Sequence, residues 1–321
     1  MRVFITGGTG FAGSHLVDYL LNNGHLVFAL VHGASSHQQL PQHPRLIELP
    51  GDLLQVDSLA EAINKAEPDI IYHLAGQASP AISWQKPAFT LAINTGGTAN
   101  ILQAAQAFGR PRVVVVTSAD VYSQITPGML PLTEETEEEP IHPYGISKVA
   151  AGQLVKAYWQ RYKLPVMEAK PFNHIGPRQT TGFVVPDFAS QLAAIKLGVQ
   201  EAKMSVGNLD AQRDFTDVRD VARAYAFLAE NGRPGFSYFI CSGQPLPVRY
   251  LLDTLIEISG VEAEWTHDPE RMRPSDNPII YGSHDRITAD TGWRPEIPIE
   301  QSLADALDDW QMRLSGAVDV M

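Results

Sequence analysis

Val3-Phe4-Ile5-Thr6-Gly7-Gly8-Thr9-Gly10-Phe11-Ala12-Gly13 passes from a continuous apolar run through a glycine cluster into a helical pattern. Beyond it, Leu16, Val17, Leu20 and Leu21 share one face of a helix expected over Phe11–Asn23. Gly7 permits a tight turn, Gly10 lets backbone approach a pyrophosphate, and Gly13 lets the helix pack close against the strand. The helix start offers free N–H groups and the positive end of its dipole. The glycines stand three apart, not in the two-then-three spacing of many dehydrogenases. The stretch predicts a dinucleotide-binding strand, turn and helix.

Working outward, Leu26–Val31, Leu46–Leu49, Ile70–Leu74, Val113–Thr117 and Val166–Ala169 are further short apolar runs. Helical patterns at Asp57–Lys65, Thr90–Phe108 and Tyr144–Tyr162 lie between several of them. Runs that are apolar throughout indicate strands buried on both faces, and their alternation with helices indicates a parallel sheet. The expected class is α/β, a Rossmann-type doubly wound sheet with a smaller α/β domain. After Pro171 the texture changes: helices at Asp187–Leu197 and Pro247–Ile258 are separated by long loops rich in Pro and Gly. Residues 1–172 form the expected dinucleotide-binding domain, and 173–321 belong mainly to the second. Within the latter, Asp217–Glu230 and Ser237–Cys241 suggest that 215–243 returns to the first domain.

The length, 321 residues, fits about two domains. Lys+Arg number 24 against 36 Asp+Glu, a net charge of -12 that repels phosphate backbones and anionic lipid. Neither nucleic acid nor membrane is an expected partner, and no apolar run reaches the ~18–20 residues of a membrane span. The N-terminus lacks the pattern of a signal peptide. One cysteine, Cys241, excludes an internal disulfide and fits a reducing compartment, so a cytoplasmic protein is expected.

Four further features carry chemistry. The second apolar run ends in His32-Gly33-Ala34-Ser35-Ser36, with no acid to bond a ribose 2′-OH and with two hydroxyls that can donate to a 2′-phosphate. That leans towards NADP. Asp52, after the third run, is placed to bond adenine. In Tyr144-Gly145-Ile146-Ser147-Lys148, phenol and ammonium share a helix face, and the cation is expected to lower the phenol's pKa towards neutrality. Ser118 follows the strand at Val113–Thr117, at the end where parallel sheets place ligands.

Together with His73-Leu74-Ala75-Gly76 and Asn94-Thr95-Gly96-Gly97-Thr98, these motifs resemble the extended short-chain dehydrogenase/reductases, the NAD-dependent epimerase/dehydratase family. They span the whole first domain in the right order. The resemblance implies a Ser118, Tyr144 and Lys148 triad. It also implies a site for NADP(H) or NAD(H) lined by Gly7, Gly10, Phe11, Ala12, Gly13, His32, Ser35, Ser36, Asp52, Leu53, Leu74, Ala75, Gly76, Asn94, Thr117 and Pro171, with Tyr144 and Lys148.

In the second half, Phe172-Asn173-His174-Ile175-Gly176-Pro177-Arg178, Arg213-Asp214-Phe215 and Arg273-Pro274-Ser275-Asp276 resemble the enzymes acting on GDP-mannose and its 4-keto-6-deoxy derivative. That likeness implies a GDP-sugar held by Asn173, Arg178, Val185, Lys196, Arg213, Arg273 and Asp276. An acidic protein must place dedicated arginines against a diphosphate, and Arg178, Arg213 and Arg273 are expected in loops to do so.

Two activities share the pattern. Dehydratases of this branch carry a Glu two places before the strand-end tyrosine, as base for elimination; here Asp120 precedes Tyr122. The wording of 172–188 and 213–220 is similar to the 4-keto-6-deoxy-mannose reductases. The expected reaction is therefore NAD(P)H-dependent reduction of GDP-4-dehydro-6-deoxy-D-mannose to GDP-D-rhamnose, with Asp120 beside the triad. The alternatives are a GDP-mannose 4,6-dehydratase, a reductase giving the 6-deoxy-talose epimer, and a non-catalytic dinucleotide sensor, which has no need of the triad. The ten histidines form no metal pattern, so no metal is expected. The glutamates from Glu134 to Glu139 read as a solvated loop. By the resemblance, the outer faces of Thr90–Phe108 and Tyr144–Tyr162 pair in a homodimer.

Overall fold

The short apolar runs of the first half form one parallel sheet, with helices packed on both of its faces. The computed structural model describes residues 1–33, 40–269 and 277–318. In chain order come β1 (Arg2–Thr6), α1 (Phe11–Asn22), β2 (Leu26–Val31), β3 (Leu46–Pro50), α2 (Val56–Ala66) and β4 (Ile70–His73). Two short helices follow, α3 (Pro80–Gln85) and α4 (Pro87–Leu91), then α5 (Gly97–Phe108), β5 (Arg112–Val116), α6 (Pro143–Tyr162) and β6 (Val166–Pro171). Helix α6 starts where Pro143 fixes φ at its first position and His142 accepts the Gly145 N–H; it ends at Lys163, in the left-handed region at φ 54°.

The second half adds β7 (Asn173–Ile175), α7 (Val184–Lys196), β8 (Lys203–Val206), β9 (Gln212–Asp217), α8 (Val218–Asn231) and β10 (Ser237–Ile240). It closes with β11 (Pro245–Pro247), α9 (Val248–Ser259), β12 (Glu264–His267), β13 (Ile279–Ile280), α10 (Asp285–Thr291) and α11 (Ile299–Val318).

The main sheet has seven strands in the order β10-β6-β5-β4-β1-β2-β3. Strand order reverses between β1 and β4, which opens a crevice at their carboxyl ends. Leu16, Val17 and Leu20 of α1 and Val221, Tyr225 and Leu228 of α8 cover one face. Leu59 and Ile63 of α2, Ile101 and Leu102 of α5 and Val155 of α6 cover the other. A second core joins α7, α9 and α11 around Phe188, Leu192, Leu251, Leu255, Leu303 and Leu307. Helix α8 and β10 lie against the first core. So do Ile287 of α10 and the fully buried Trp293, a further return of the chain that the sequence reading does not include.

Several expectations need correction. Thr90–Phe108 is not one regular helix: Ala92–Gly96 form a π-helical turn between α4 and α5. The second half is also more regular than expected. Helix α11 runs for 20 residues, and Arg213 sits in strand β9, not in a loop. That strand is polar because buried Asp214 accepts the Ser242 N–H and hydroxyl, both at 2.7 Å, and the Gly243 N–H at 3.0 Å. The glutamate run is not simply solvated. Glu134 accepts the Phe239 N–H at 2.8 Å, and Glu138 pairs with buried Lys170.

Candidate active site

The residues that converge at the crevice come from the end of β5 and the first turns of α6. Ser118 follows β5 by two residues and hydrogen-bonds the Tyr144 hydroxyl. Lys148, one turn along α6, donates from Nζ to the Val116 carbonyl at 3.0 Å, and its ammonium stands 5.8 Å from the centre of the Tyr144 ring. Both side chains are buried, each 7 % exposed.

Burial governs their titration. It pushes the Tyr144 phenol up to about 12, opposed by the Ser118 hydrogen bond and assisted by the nearby Asp120 charge. Lowering of the phenol by Lys148, expected from the sequence, is therefore not what the structure displays. The lysine is turned onto a carbonyl, and desolvation of the phenolate dominates. Lys148 itself is pushed down to about 8, again chiefly by burial. At neutral pH the pair is a protonated phenol beside an ammonium, the arrangement of a proton donor.

A continuous set of hydrogen bonds ties this pair to the glycine turn. The Ala75 N–H donates to Thr6 Oγ1 (3.3 Å), and Thr6 Oγ1 donates to His73 Nδ1 (2.7 Å). His73 Nε2 donates to Thr98 Oγ1 (3.1 Å), which donates to the Asn94 carbonyl (2.6 Å). The tautomer follows from Thr98 already spending its proton on Asn94. From the π-helical turn, Asn94 Nδ2 donates to Ser147 Oγ (2.9 Å) and to the Gln77 carbonyl (3.0 Å), while Oδ1 accepts the Gln77 N–H (2.8 Å). Ser147 Oγ completes the path by donating to the Tyr144 carbonyl (2.6 Å). A π turn at such a position is a common mark of function.

His73 must stay neutral to keep both bonds, and burial lowers its pKa to about 3. The unfolded chain takes up that proton near pH 6.5, so below this the unfolded state binds one proton more and stability falls as pH drops towards 3. The slope from this group is about 1.4 kcal/mol per pH unit. Thermal melts should show that a His73→Gln protein, which retains two hydrogen-bonding ends, loses less stability than wild type between pH 6.5 and 4. Parallel losses would refute the assignment.

The glycine turn fits a dinucleotide. Gly7 has φ +77°, and a Cβ there would lie 2.6 Å from Ala75 N; a Cβ on Gly13 would lie 1.9 Å from Gly7 O. Gly10 is the N-cap of α1 and no side chain caps this helix, so the first N–H groups, those of Phe11, Ala12 and Gly13, point out from its start. Phe11 stacks on His174 with ring centres 5.6 Å apart. Gly76 reaches Asn94 and Lys148, since a Cβ there would lie 2.6 Å from Asn94 Oδ1 and 3.8 Å from Lys148 Nζ. Buried Thr117 and Pro171 lie at the carboxyl ends of β5 and β6, and Leu74 and Ala75 follow β4. Leu53 is buried beside Gly97; Asp52 Oδ1 accepts the Leu54 N–H at 2.9 Å, and exposed His32 follows β2. Ser35 and Ser36 lie outside the described residues.

The expected substrate residues divide. Exposed Asn173 opens β7 directly after β6. Arg213 Nη1 donates to the Gln212 carbonyl at 2.7 Å; burial opposes its charge, and Asp120 is near enough to favour it. Val185 is fully buried in α7, so a contact there falls to its main chain; Lys196 is exposed at the far end of that helix. Arg178 departs from expectation. Its guanidinium pairs with Asp18 at 2.7 Å, and its N–H bonds Asp309. It lines a cavity of about 700 Å³ between α1, α8 and α11 to which no triad residue contributes. Arg273 and Asp276 lie outside the described residues.

Two groups escaped the sequence reading. His142 Nδ1 accepts the Gly145 N–H at 2.9 Å, and its Nε2 lies 3.4 Å from Asp120 Oδ2. Its place just before Pro143, at the expected helix start, was the available signal. Buried Glu168 lies behind α6 and interrupts an apolar strand, a departure visible in Val166-Met167-Glu168-Ala169.

Comparison with known proteins supplies a frame. Residues 4–306 match the family described as GDP-mannose 4,6 dehydratase. The chain is 41% identical to the GDP-6-deoxy-D-mannose reductase of Pseudomonas aeruginosa, over 98% of each chain. It is 30% identical to a GDP-mannose 4,6-dehydratase of Sordaria araneosa, over 98% of this chain and 62% of that one. The solved structure of RMD from Pseudomonas aeruginosa complexed with NADPH superposes with a TM-score of 0.85 at 38% identity, covering 98% of this chain and 100% of the other.

Proposed function

The chain belongs to the GDP-mannose 4,6 dehydratase family, and we propose that within it the protein is a reductase, taking GDP-4-dehydro-6-deoxy-D-mannose to GDP-D-rhamnose with NADPH. The observation that carries this reading is the state of Asp120. Elimination needs a base for the C5 proton. Asp120 is one methylene shorter than the dehydratases' Glu, its side chain is 53% exposed, and its carboxylate faces His142 and Arg213. The reductase of Pseudomonas aeruginosa, matched over nearly the whole of both chains, supports the same choice, and NADPH in the RMD structure supports the cofactor.

In this mechanism the glycine turn and the start of α1 would hold the cofactor's pyrophosphate, and NADPH, when bound, would supply the hydride for C4 of the sugar. Ser118 Oγ binds the C4 oxygen. Tyr144 Oη, protonated at neutral pH, gives that oxygen its proton as negative charge develops. Lys148 would hold the cofactor's ribose hydroxyls, and Asn94 fixes the helix that carries Tyr144 and Lys148. Asn173 and Arg213 bind the nucleotide sugar.

The test uses the 4-keto sugar made in situ by a separate dehydratase, following oxidation of NADPH and NADH in parallel and identifying the product by NMR. Substrate-dependent oxidation that prefers NADPH, with an equatorial C4 hydroxyl, is expected. An axial hydroxyl would assign the talose-forming reaction instead. Conversion of GDP-mannose to a keto sugar without net cofactor loss would make the protein a dehydratase.

The active form is a homodimer paired through α4, α5 and α6. Support comes from exposed apolar side chains on neighbouring elements: Trp84 of α3, Phe89 and Leu91 of α4 and Ile146 of α6. Light scattering at micromolar concentration should give twice the chain mass; the chain mass alone would contradict it. Among the described residues no helix is long and apolar enough to cross a membrane, and the lone buried Cys241 supports a reducing cytoplasm as the setting.

A further inference from the structure

Glu168 is a carboxylate placed where the sheet otherwise buries hydrocarbon. It is 1 % exposed and lies on the face of β6 that α6 covers, in line with Val166 of the same core. Where it meets α6, residue 152 is glycine, and a Cβ there would stand 2.4 Å from Glu168 Oε1. Residues 148 and 152 share a helix face, so the notch opens one turn beyond Lys148. Oε1 accepts the Thr117 hydroxyl at 2.8 Å, and Oε2 accepts the Ser237 hydroxyl. Thr117 is the neighbour of Val116, whose carbonyl holds the Lys148 ammonium.

The charges alternate. Lys170 Nζ lies 3.6 Å from Glu168 Oε1 and pairs on its other side with Glu138. Glu168, Lys170 and Glu138 thus form a largely buried ladder that ends at the loop before α6, and the Glu168 charge acts on Lys148 from its other end. A buried carboxylate is costly unless it is paired and hydrogen-bonded, and an apolar side chain with Ala at 152 would fill this space more simply. We propose that Glu168 is a positioning residue for the reaction, the buried counter-charge that keeps Lys148 an ammonium on the Val116 carbonyl, beside Tyr144. The kinetic consequence rests on the reductase reading; the coupling of the two charges does not.

Burial drives Lys148 towards its neutral form, and Glu168 works in the opposite direction. The other groups facing the lysine or its partners are Tyr144 on its own helix, His73 from β4, Asp120 from the loop after β5, and Lys170 from β6. His73 is neutral and Asp120 is exposed, so Glu168 is the dominant negative charge on the buried side. Without it, Lys148 loses its proton at lower pH. Without Lys170, which competes for the same carboxylate and adds a like charge, Lys148 keeps its proton to higher pH.

The test follows protein labelled with ¹³Cε-lysine by NMR, with the Lys148 signal identified by its loss in a Lys148→Arg variant. In Glu168→Gln the Lys148 titration midpoint is expected to fall by about one pH unit or more, and in Lys170→Met to rise. Ser237→Ala, which removes a hydrogen bond and no charge, should leave the midpoint in place. Turnover of Glu168→Gln should fall about tenfold at the alkaline end of the pH profile and far less at pH 6.5. A folded Glu168→Gln protein with an unmoved midpoint overturns the proposal. If that variant does not fold, a midpoint in Lys170→Met that stays put or falls overturns it equally. A shifted midpoint in protein that never turns over the keto sugar upholds the coupling and refutes the reductase reading.

Discussion

Tyr144→Phe protein is expected to reduce its keto sugar about 10²–10⁴-fold more slowly than wild type, with KM for the sugar little changed. The loss falls on turnover because the phenol proton is needed only as charge develops on the C4 oxygen. The variant should fold normally. The ring remains buried beside Lys148, and what disappears is one hydroxyl bonded to Ser118. Because burial holds the phenol up at about 12, wild type should keep its proton donor throughout the neutral range. Any alkaline limb near pH 8 then belongs to Lys148. Steady-state rates against sugar concentration, with cofactor binding measured on the same preparations, decide the matter. Near wild-type turnover in Tyr144→Phe would sink the mechanism.

Gly13→Ala should be nearly as damaging, by another route. The added methyl would lie 1.9 Å from Gly7 O and 2.8 Å from Gly7 C, and these are backbone atoms that cannot swing aside. The turn and α1 must part, which costs about 1–3 kcal/mol of overpacking strain. In a chain of this size that lowers Tm by several degrees, at about 2–4 °C per kcal/mol. Cofactor affinity should fall about tenfold or more, since the displaced N–H groups are those proposed to hold the pyrophosphate. Gly128→Ala is the control, because a Cβ there meets nothing within 4 Å. Calorimetry and nucleotide titration read both effects; unchanged binding in Gly13→Ala would show that the turn is not the cofactor cradle.

The first half of the fold is legible in the sequence because its signals are local. Most strands are apolar runs and most helices carry their own stripe, so Val3–Thr6 or Leu16–Leu21 can be read without knowing the neighbours. The triad is legible for the same reason: Tyr144 and Lys148 are one helical turn apart, and Ser118 ends a strand. What escapes depends on distant partners. The π turn at Asn94 is held by Gln77 and by Ser147, which lies 53 residues away, and nothing local to 92–96 announces it. Strand β9 looks like a loop because its buried acid is satisfied by the 242–243 turn. Arg178 reads as a clamp, and nothing near it in sequence shows that Asp18, on a helix 160 residues earlier, pairs with its charge. Helix α11 is a different case. Leu303, Ala306, Leu307, Trp310 and Leu314 carry a helical period that the eye, occupied by prolines nearby, passes over.

The π turn also has a genetic reading. A helix that accommodates five residues where four would close the turn behaves as one carrying a single inserted codon. Deleting one residue of 92–96 would restore regular winding with the flanking helices kept in phase, yet the residues of the turn would shift by one position, about 100° around the axis. Asn94 would leave Ser147, and the path from glycine turn to catalytic helix would be cut in the middle. The segment is thus intolerant of a change in length even where it tolerates a change in side chain. Frame-preserving single-codon deletions, harmless in many surface helices, should be purged here.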